Sequence, residues 1–196
     1  MVSMTIFGKA IGIAVLGVFI ASSLIAQSGP TIKSASLLAK VVDQRPEQRI
    51  PGTMLDAPKG FAFLWIQVAV PKADSFPLKF ELLRVGATDS QKTRYTVAGV
   101  CPYDIGPSIT VMLEPVARGG SGVSDVTVSA SSGNDEVDFD LSNSGPPEKR
   151  NATLTVKKAS LVFSLFFVVP KRDGVFQIDG LGPAPLRTAN LSAPKD

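Results

Sequence analysis

Residues 161–169, Leu-Val-Phe-Ser-Leu-Phe-Phe-Val-Val, are apolar at eight of nine positions, with Lys157 and Lys158 before them and Pro170, Lys171 and Arg172 after. In an extended chain Leu161, Phe163, Leu165, Phe167 and Val169 share one face, and Val162, Ser164, Phe166 and Val168 the other. Fully burying a large apolar side chain is worth roughly 1.5–3 kcal/mol, so one face alone supplies on the order of 10 kcal/mol before ordering entropy is subtracted. No other segment beyond the N-terminus concentrates so much apolar surface, and the stretch is expected to be the central strand of the core. The flanking cations oppose the stacking of so amyloid-prone a run while the chain is unfolded.

The rest of the chain reads as short strands between turn signals, with no amphipathic helix of ten or more residues. Strands are expected at 32–42, 61–70, 78–85, 94–100, 109–113, 123–130, 136–141, 152–156 and 175–178. Loops rich in Pro and Gly are expected at 44–60, 101–107, 118–122 and 143–147, and a hairpin turn at 87–92. Eight to ten such strands without helices predict an all-β fold, an antiparallel sandwich of one domain over residues 31–180. Residues 181–196, rich in Pro and polar residues, are expected to form a flexible tail.

Residues 1–28 have the form of a secretory signal peptide. Lys9 supplies the positive start, 10–21 an apolar run, and Ala26-Gln27-Ser28 a small-x-small exit before Gly29-Pro30. The stretch 10–26 is also at the lower end of a membrane-spanning length, so the alternative is an uncleaved anchor. Either form places the body outside the cytoplasm, secreted or periplasmic, and makes the N-terminal segment, if uncleaved, its one contact with a membrane.

Composition narrows the function. Histidine is absent, which removes Ser-His and Cys-His nucleophile pairs, His-ligated zinc and His-based pH switching. Net charge is only +3, with no dense basic cluster, so no nucleic-acid interface is expected. Hydrophobic residues make up 44%, enough for a core without disulfides. The single cysteine, Cys101, forms no intrachain disulfide; it is either buried as a small hydrophobe or available to a second chain.

Two clusters are candidate sites. Glu136, Asp138 and Asp140, with Asp135 beside them, project from one face of a strand while Val137, Phe139 and Leu141 face inward. Oxygen ligands at that spacing could hold Ca²⁺, although no Asp-x-Asp-x-Asp-Gly loop is present; the same pattern suits a solvated strand face or a repulsive sheet edge. Phe61, Phe63 and Trp65 share one face of the 61–70 strand, where they could stack on a sugar or a partner chain, or simply pack between sheets. Two strands, 61–70 and 161–169, are apolar on both faces, whereas a two-layer sandwich leaves one face polar. A loop or a partner is therefore expected to cover the outer face.

Catalytic signatures are missing. Ser36 and Lys40 lack Ser-x-x-Lys spacing, and residues 119–122 lack the Gly-Lys-Ser/Thr ending of a phosphate loop. Asn151-Ala-Thr153 and Asn190-Leu-Ser192 match the glycosylation acceptor pattern. No cofactor is implied. The expectation is a non-catalytic binding, envelope or structural module with a protein or cell-envelope partner. The alternatives are a carboxylate-based secreted hydrolase, whose acids meet only in three dimensions, and a membrane-anchored subunit of an envelope assembly.

The apolar strand 61–70, then Phe80-Glu81-Leu82-Leu83 and a polar turn ending at Tyr95, and finally Leu165-Phe-Phe-Val-Val-Pro-Lys171 resemble a family of bacterial secreted immunoglobulin-like domains. That family has no assigned function and includes small secreted mycobacterial antigens. The resemblance spans about residues 31–180, with long insertions at 44–60 and 118–134. It implies an immunoglobulin-like sandwich and an exported location, and it carries over no catalytic or binding residue.

Overall fold

The computed structural model describes residues 29–44, 52–71, 76–113, 129–133, 136–142, 151–158 and 161–195. The expected signal segment, the 118–122 connector, the 143–147 loop and Asp135 lie outside the described residues. In chain order the strands are β1 (Thr31–Leu38), β2 (Lys40–Asp43), β3 (Thr53–Asp56), β4 (Phe61–Ala69), β5 (Leu78–Glu81), β6 (Gly86–Thr88), β7 (Arg94–Thr96) and β8 (Gly99–Cys101). They continue with β9 (Ser108–Ile109), β10 (Val111–Met112), β11 (Ser129–Gly133), β12 (Val137–Ser142), β13 (Asn151–Val156), β14 (Val162–Pro170), β15 (Gln177–Asp179) and β16 (Leu186–Arg187). The fold is all-β and its pairings are antiparallel, apart from a short parallel pairing of β2 with β9. A single 3-10 turn, Leu82–Arg84, is the helical element among the described residues.

The central sheet has the order β1-β4-β14-β8-β10. β14 lies in its middle and pairs with β4 in unbroken register, from Val162 opposite Ala69 to Pro170 opposite Phe61. Both strands are rich in aromatic and β-branched residues, which suit a pleated surface packed on both sides. On one face Ala62, Leu64, Ile66 and Val68 of β4 and Phe163, Leu165, Phe167 and Val169 of β14 are fully buried. They form one apolar cluster with Val137, Phe139 and Leu141 of β12 and Ala152, Leu154 and Val156 of β13. These last belong to a second sheet of order β11-β12-β13-β5, so the main core lies between two sheets. Phe80 of β5 meets Phe163 with ring centroids 5.5 Å apart at a tilt of 43°, an arrangement worth about 0.5–1.5 kcal/mol beyond area burial.

The other face of the central sheet is also covered, by the chain itself. A three-stranded sheet of order β3-β2-β9 lies there, and Val41, Leu55 and Ile109 join Phe63, Phe166 and Cys101 in a second apolar cluster. Residues 44–60 are thus not loop throughout, because β3 sits within them. Its Leu55 is buried while its neighbours are exposed, a single inward anchor too short for sequence periodicity to register. Close approach of the covering layer is permitted by Gly99: a Cβ there would lie 2.9 Å from Ile109 Cγ2. Gly99→Ala is expected to cost about 1–3 kcal/mol by overpacking, readable as a lowered midpoint in urea denaturation with an unchanged slope.

Several expected strands divide because the chain changes sheets. The 94–100 run splits into β7, in a fourth sheet of order β16-β15-β6-β7, and β8, in the central sheet. The 109–113 run splits at Thr110 into β9, paired with β2, and β10, paired with β8. The 78–85 run ends as β5 and continues as the 3-10 turn.

The C-terminal segment is not the flexible tail expected from its Pro and polar content. β16 pairs with β15, and Gly174 and Leu191 exchange backbone hydrogen bonds of 3.0 and 2.8 Å. Leu181 and Leu191 are buried in the main core, with Leu186 packed against it. Three leucines at five-residue spacing outweigh the local breakers. At Gly180 φ is +84°, and a Cβ would lie 2.9 Å from the Arg84 carbonyl, so this turn requires glycine.

Candidate functional site

The covered face of the central sheet carries a row of polar side chains where an apolar row would pack as well. Register places Ser34 opposite Gln67, Gln67 opposite Ser164, and Ser164 opposite Cys101, across β1, β4, β14 and β8. Directly opposed residues share a face. The adjoining row is Ser36, Trp65, Phe166 and Gly99.

Residues 102–107 leave β8 and cross this row as a strap. Ser34 Oγ donates to Gln67 Oε1 at 2.6 Å, and Gln67 Nε2 donates to Asp104 Oδ1 at 2.7 Å. Lys33 Nζ closes the chain with a 3.0 Å ion pair to Asp104 Oδ2. Beneath the strap, Cys101 Sγ donates to the Tyr103 carbonyl at 3.1 Å. Burial pushes the Cys101 thiol above its ordinary pKa. Ser164 Oγ and Trp65 Nε1 are buried on the same face, and neither makes a hydrogen bond among the described residues. An unpaired buried polar group costs about 1–3 kcal/mol, so these two positions are held at an energetic cost that apolar side chains would not carry.

The aromatic trio shares one face of β4 but is covered unequally. Phe63 is fully buried beneath the covering sheet and Trp65 is half-buried against the same cluster, while Phe61, at the head of β4, is 42% exposed. No shared stacking platform forms, since Phe63 is buried, Trp65 is partly buried and Phe61 alone of the three is exposed. The outer face that the composition of β4 and β14 requires to be covered is occupied by β2, β3, β9 and the strap.

The acidic strand alternates as expected: Val137, Phe139 and Leu141 are buried, and Glu136, Asp138 and Asp140 sit on the opposite side. β12 lies between β11 and β13, so these acids decorate an interior strand and do not form a repulsive edge. Asp138 pairs with Lys157 at 2.7 Å, and Asp140 accepts from Asn151 Nδ2 at 3.1 Å. Among the described residues no three or more acidic or cysteine side chains gather as a metal site.

A denser polar cluster surrounds Asp89, at the turn joining β6 to β7. Its carboxylate accepts from Tyr95 Oη at 2.8 Å, Arg172 Nη2 at 2.6 Å, and the Gln91 and Thr93 amides, both at 2.9 Å. Lys92, with φ of 66°, closes the turn. This clamp ties the hairpin to the residues that follow β14. An Asp opening a polar turn is a legible signal for the two amide bonds, but its long-range partner Arg172 is not. Asp104 carries no local signal at all, since its role depends on two strands distant in sequence.

The exposed large apolar side chains also have a pattern. Met54 is on β3, Phe61 heads β4, and Tyr103 and Ile105 are on the strap; Leu83, on the 3-10 turn, stands apart. No family model, curated protein or solved structure matches the chain.

Proposed function

We propose that the protein is an exported, non-catalytic recognition module of immunoglobulin-like character, which engages a protein or cell-envelope partner through its outer layer. The observation that carries this reading is the placement of Met54, Phe61, Tyr103 and Ile105. All four lie on, or at the head of, the elements that face or form the layer covering the central sheet. Exposed apolar side chains carried by this layer and its margin, among charges such as Lys33, Lys40 and Asp56, have the composition of a recognition surface with a polar rim. The signal-like N-terminus and the resemblance to secreted immunoglobulin-like domains support the exported location.

Expression of the full chain in a secreting bacterium tests both halves. The mature protein is expected to begin after the 26–28 exit, as read by intact mass; a mass retaining residues 1–28 points to the anchored form. A photo-crosslinking residue at Met54 or Tyr103 is expected to trap one envelope component, and one at Lys79, on the second sheet, none. Equal trapping at all three positions would remove the outer layer as the recognition surface. Turnover of glycosidic or ester substrates by the purified protein would remove the non-catalytic reading.

A further inference from the structure

We infer that the strap formed by residues 102–107 is a gate, which lifts as a unit to expose the polar row and the Cys101 thiol while the sheets beneath stay folded. The two ends of the strap are fixed. At one end Cys101 closes β8; at the other the Val42 amide donates to the Pro107 carbonyl at 3.1 Å and Ser108 begins β9. Between them Gly106 has φ of +84° with open space around it, and Pro102 and Pro107 flank the span. Gly106 supplies the backbone freedom for a hinge near the β9 end, while Pro102 and Pro107 fix φ at their own positions and limit how the strap can bend.

The tip is held by polar contacts in place of packing. Tyr103, Asp104 and Ile105 are exposed. One carboxylate, that of Asp104, reaches over β14 to grip Gln67 on β4 and Lys33 beside it on β1. The ion pair is itself open to solvent, with side chains 48% and 45% exposed, so it resists lifting only weakly. What lies underneath has reason to be exposed. Ser164 stands between Cys101 and Gln67 in the row, fully buried and without a hydrogen bond among the described residues. Lifting the strap gives its hydroxyl a partner from water or a ligand, which offsets part of the bonds lost at Asp104. The open face would present the Ser164 hydroxyl, the Gln67 amide and a thiol in one line, which no closed arrangement offers.

Thiol labelling of the whole chain with an aromatic disulfide reagent reads the gate directly. The Cys101 thiolate attacks the reagent, one sulfur stays on the protein as a mixed disulfide, and the other leaves as a coloured thiolate. Asp104→Ala is expected to speed labelling by about tenfold or more, since it removes two charge-assisted contacts. Asp104→Asn, which keeps an acceptor for Gln67, is expected to fall between. Circular dichroism is expected to be unchanged in both. Unchanged labelling rates in Asp104→Ala would overturn the gate. Should that variant lose its folded spectrum, wild-type labelling across low urea decides the matter. A shallow dependence on urea supports local lifting, and a slope equal to that of global unfolding overturns it.

Discussion

Phe166→Ala is expected to destabilise the folded chain by about 3–5 kcal/mol, as much as Phe163→Ala on the opposite face of the same strand. Both rings are fully buried. Phe163 packs in the main core between the two large sheets, whereas Phe166 packs against Val41, Leu55 and Ile109 of the covering layer. In a two-layer sandwich the outward ring would be partly wet, and its removal would cost well under half as much. For a domain of this size each kcal/mol lowers Tm by about 2–4 °C, so calorimetry of the two variants resolves the question. A Phe166→Ala loss below about 1 kcal/mol would mean that the third layer does not seal that face.

Asp89→Ala is expected to cost about 3–5 kcal/mol, the range for breaking a buried, hydrogen-bonded charge. The loss comes mainly from leaving the Tyr95 hydroxyl and two turn amides without an acceptor. The Arg172 contribution is smaller, because its guanidinium is 40% exposed and partly screened by water. Asp89 also sets a pH signature. Burial alone would raise its pKa, but the bonds from Tyr95, the Thr93 amide, Arg172 and the Gln91 amide outweigh burial and hold it below the ordinary carboxylate value. A depressed folded-state pKa means that the unfolded chain takes up the proton first on acidification. The stabilisation is therefore complete above the unfolded value, about pH 4, and is lost as pH falls toward the folded one. Denaturation midpoints of wild type and Asp89→Ala are expected to differ most near neutrality and to converge in acid. A gap that stays constant down to pH 3 would show that the carboxylate's charge plays no part.

The sequence is most legible where side chains alternate over many residues. β4, β12 and β14 lie where their period of two puts them, with the expected residues inward, because a one-residue slip would turn every core side chain to water. Legibility fails where two or three residues decide a strand. β3, β9 and β16 are held by single anchors such as Leu55, Ile109 and Leu186, whose meaning comes from the surface they meet. The same holds for the site. That the outer face of β4 and β14 needed a cover follows from their composition, but that β2, β3, β9 and the strap supply it depends on contacts made across the whole chain. Trp65 and Phe63 were visible as an aromatic stripe; their different degrees of burial were not, since the covering sheet lies over one more closely than the other.

The pairing of β14 with β4 joins residues about a hundred positions apart, and β15 and β16 close the core later still. β1 pairs with β4 early in the chain, but the other edge of β4 stays open until β14 follows, when most of the polypeptide exists. The central sheet is therefore completed late, by a long-range pairing whose loop-closure cost slows folding.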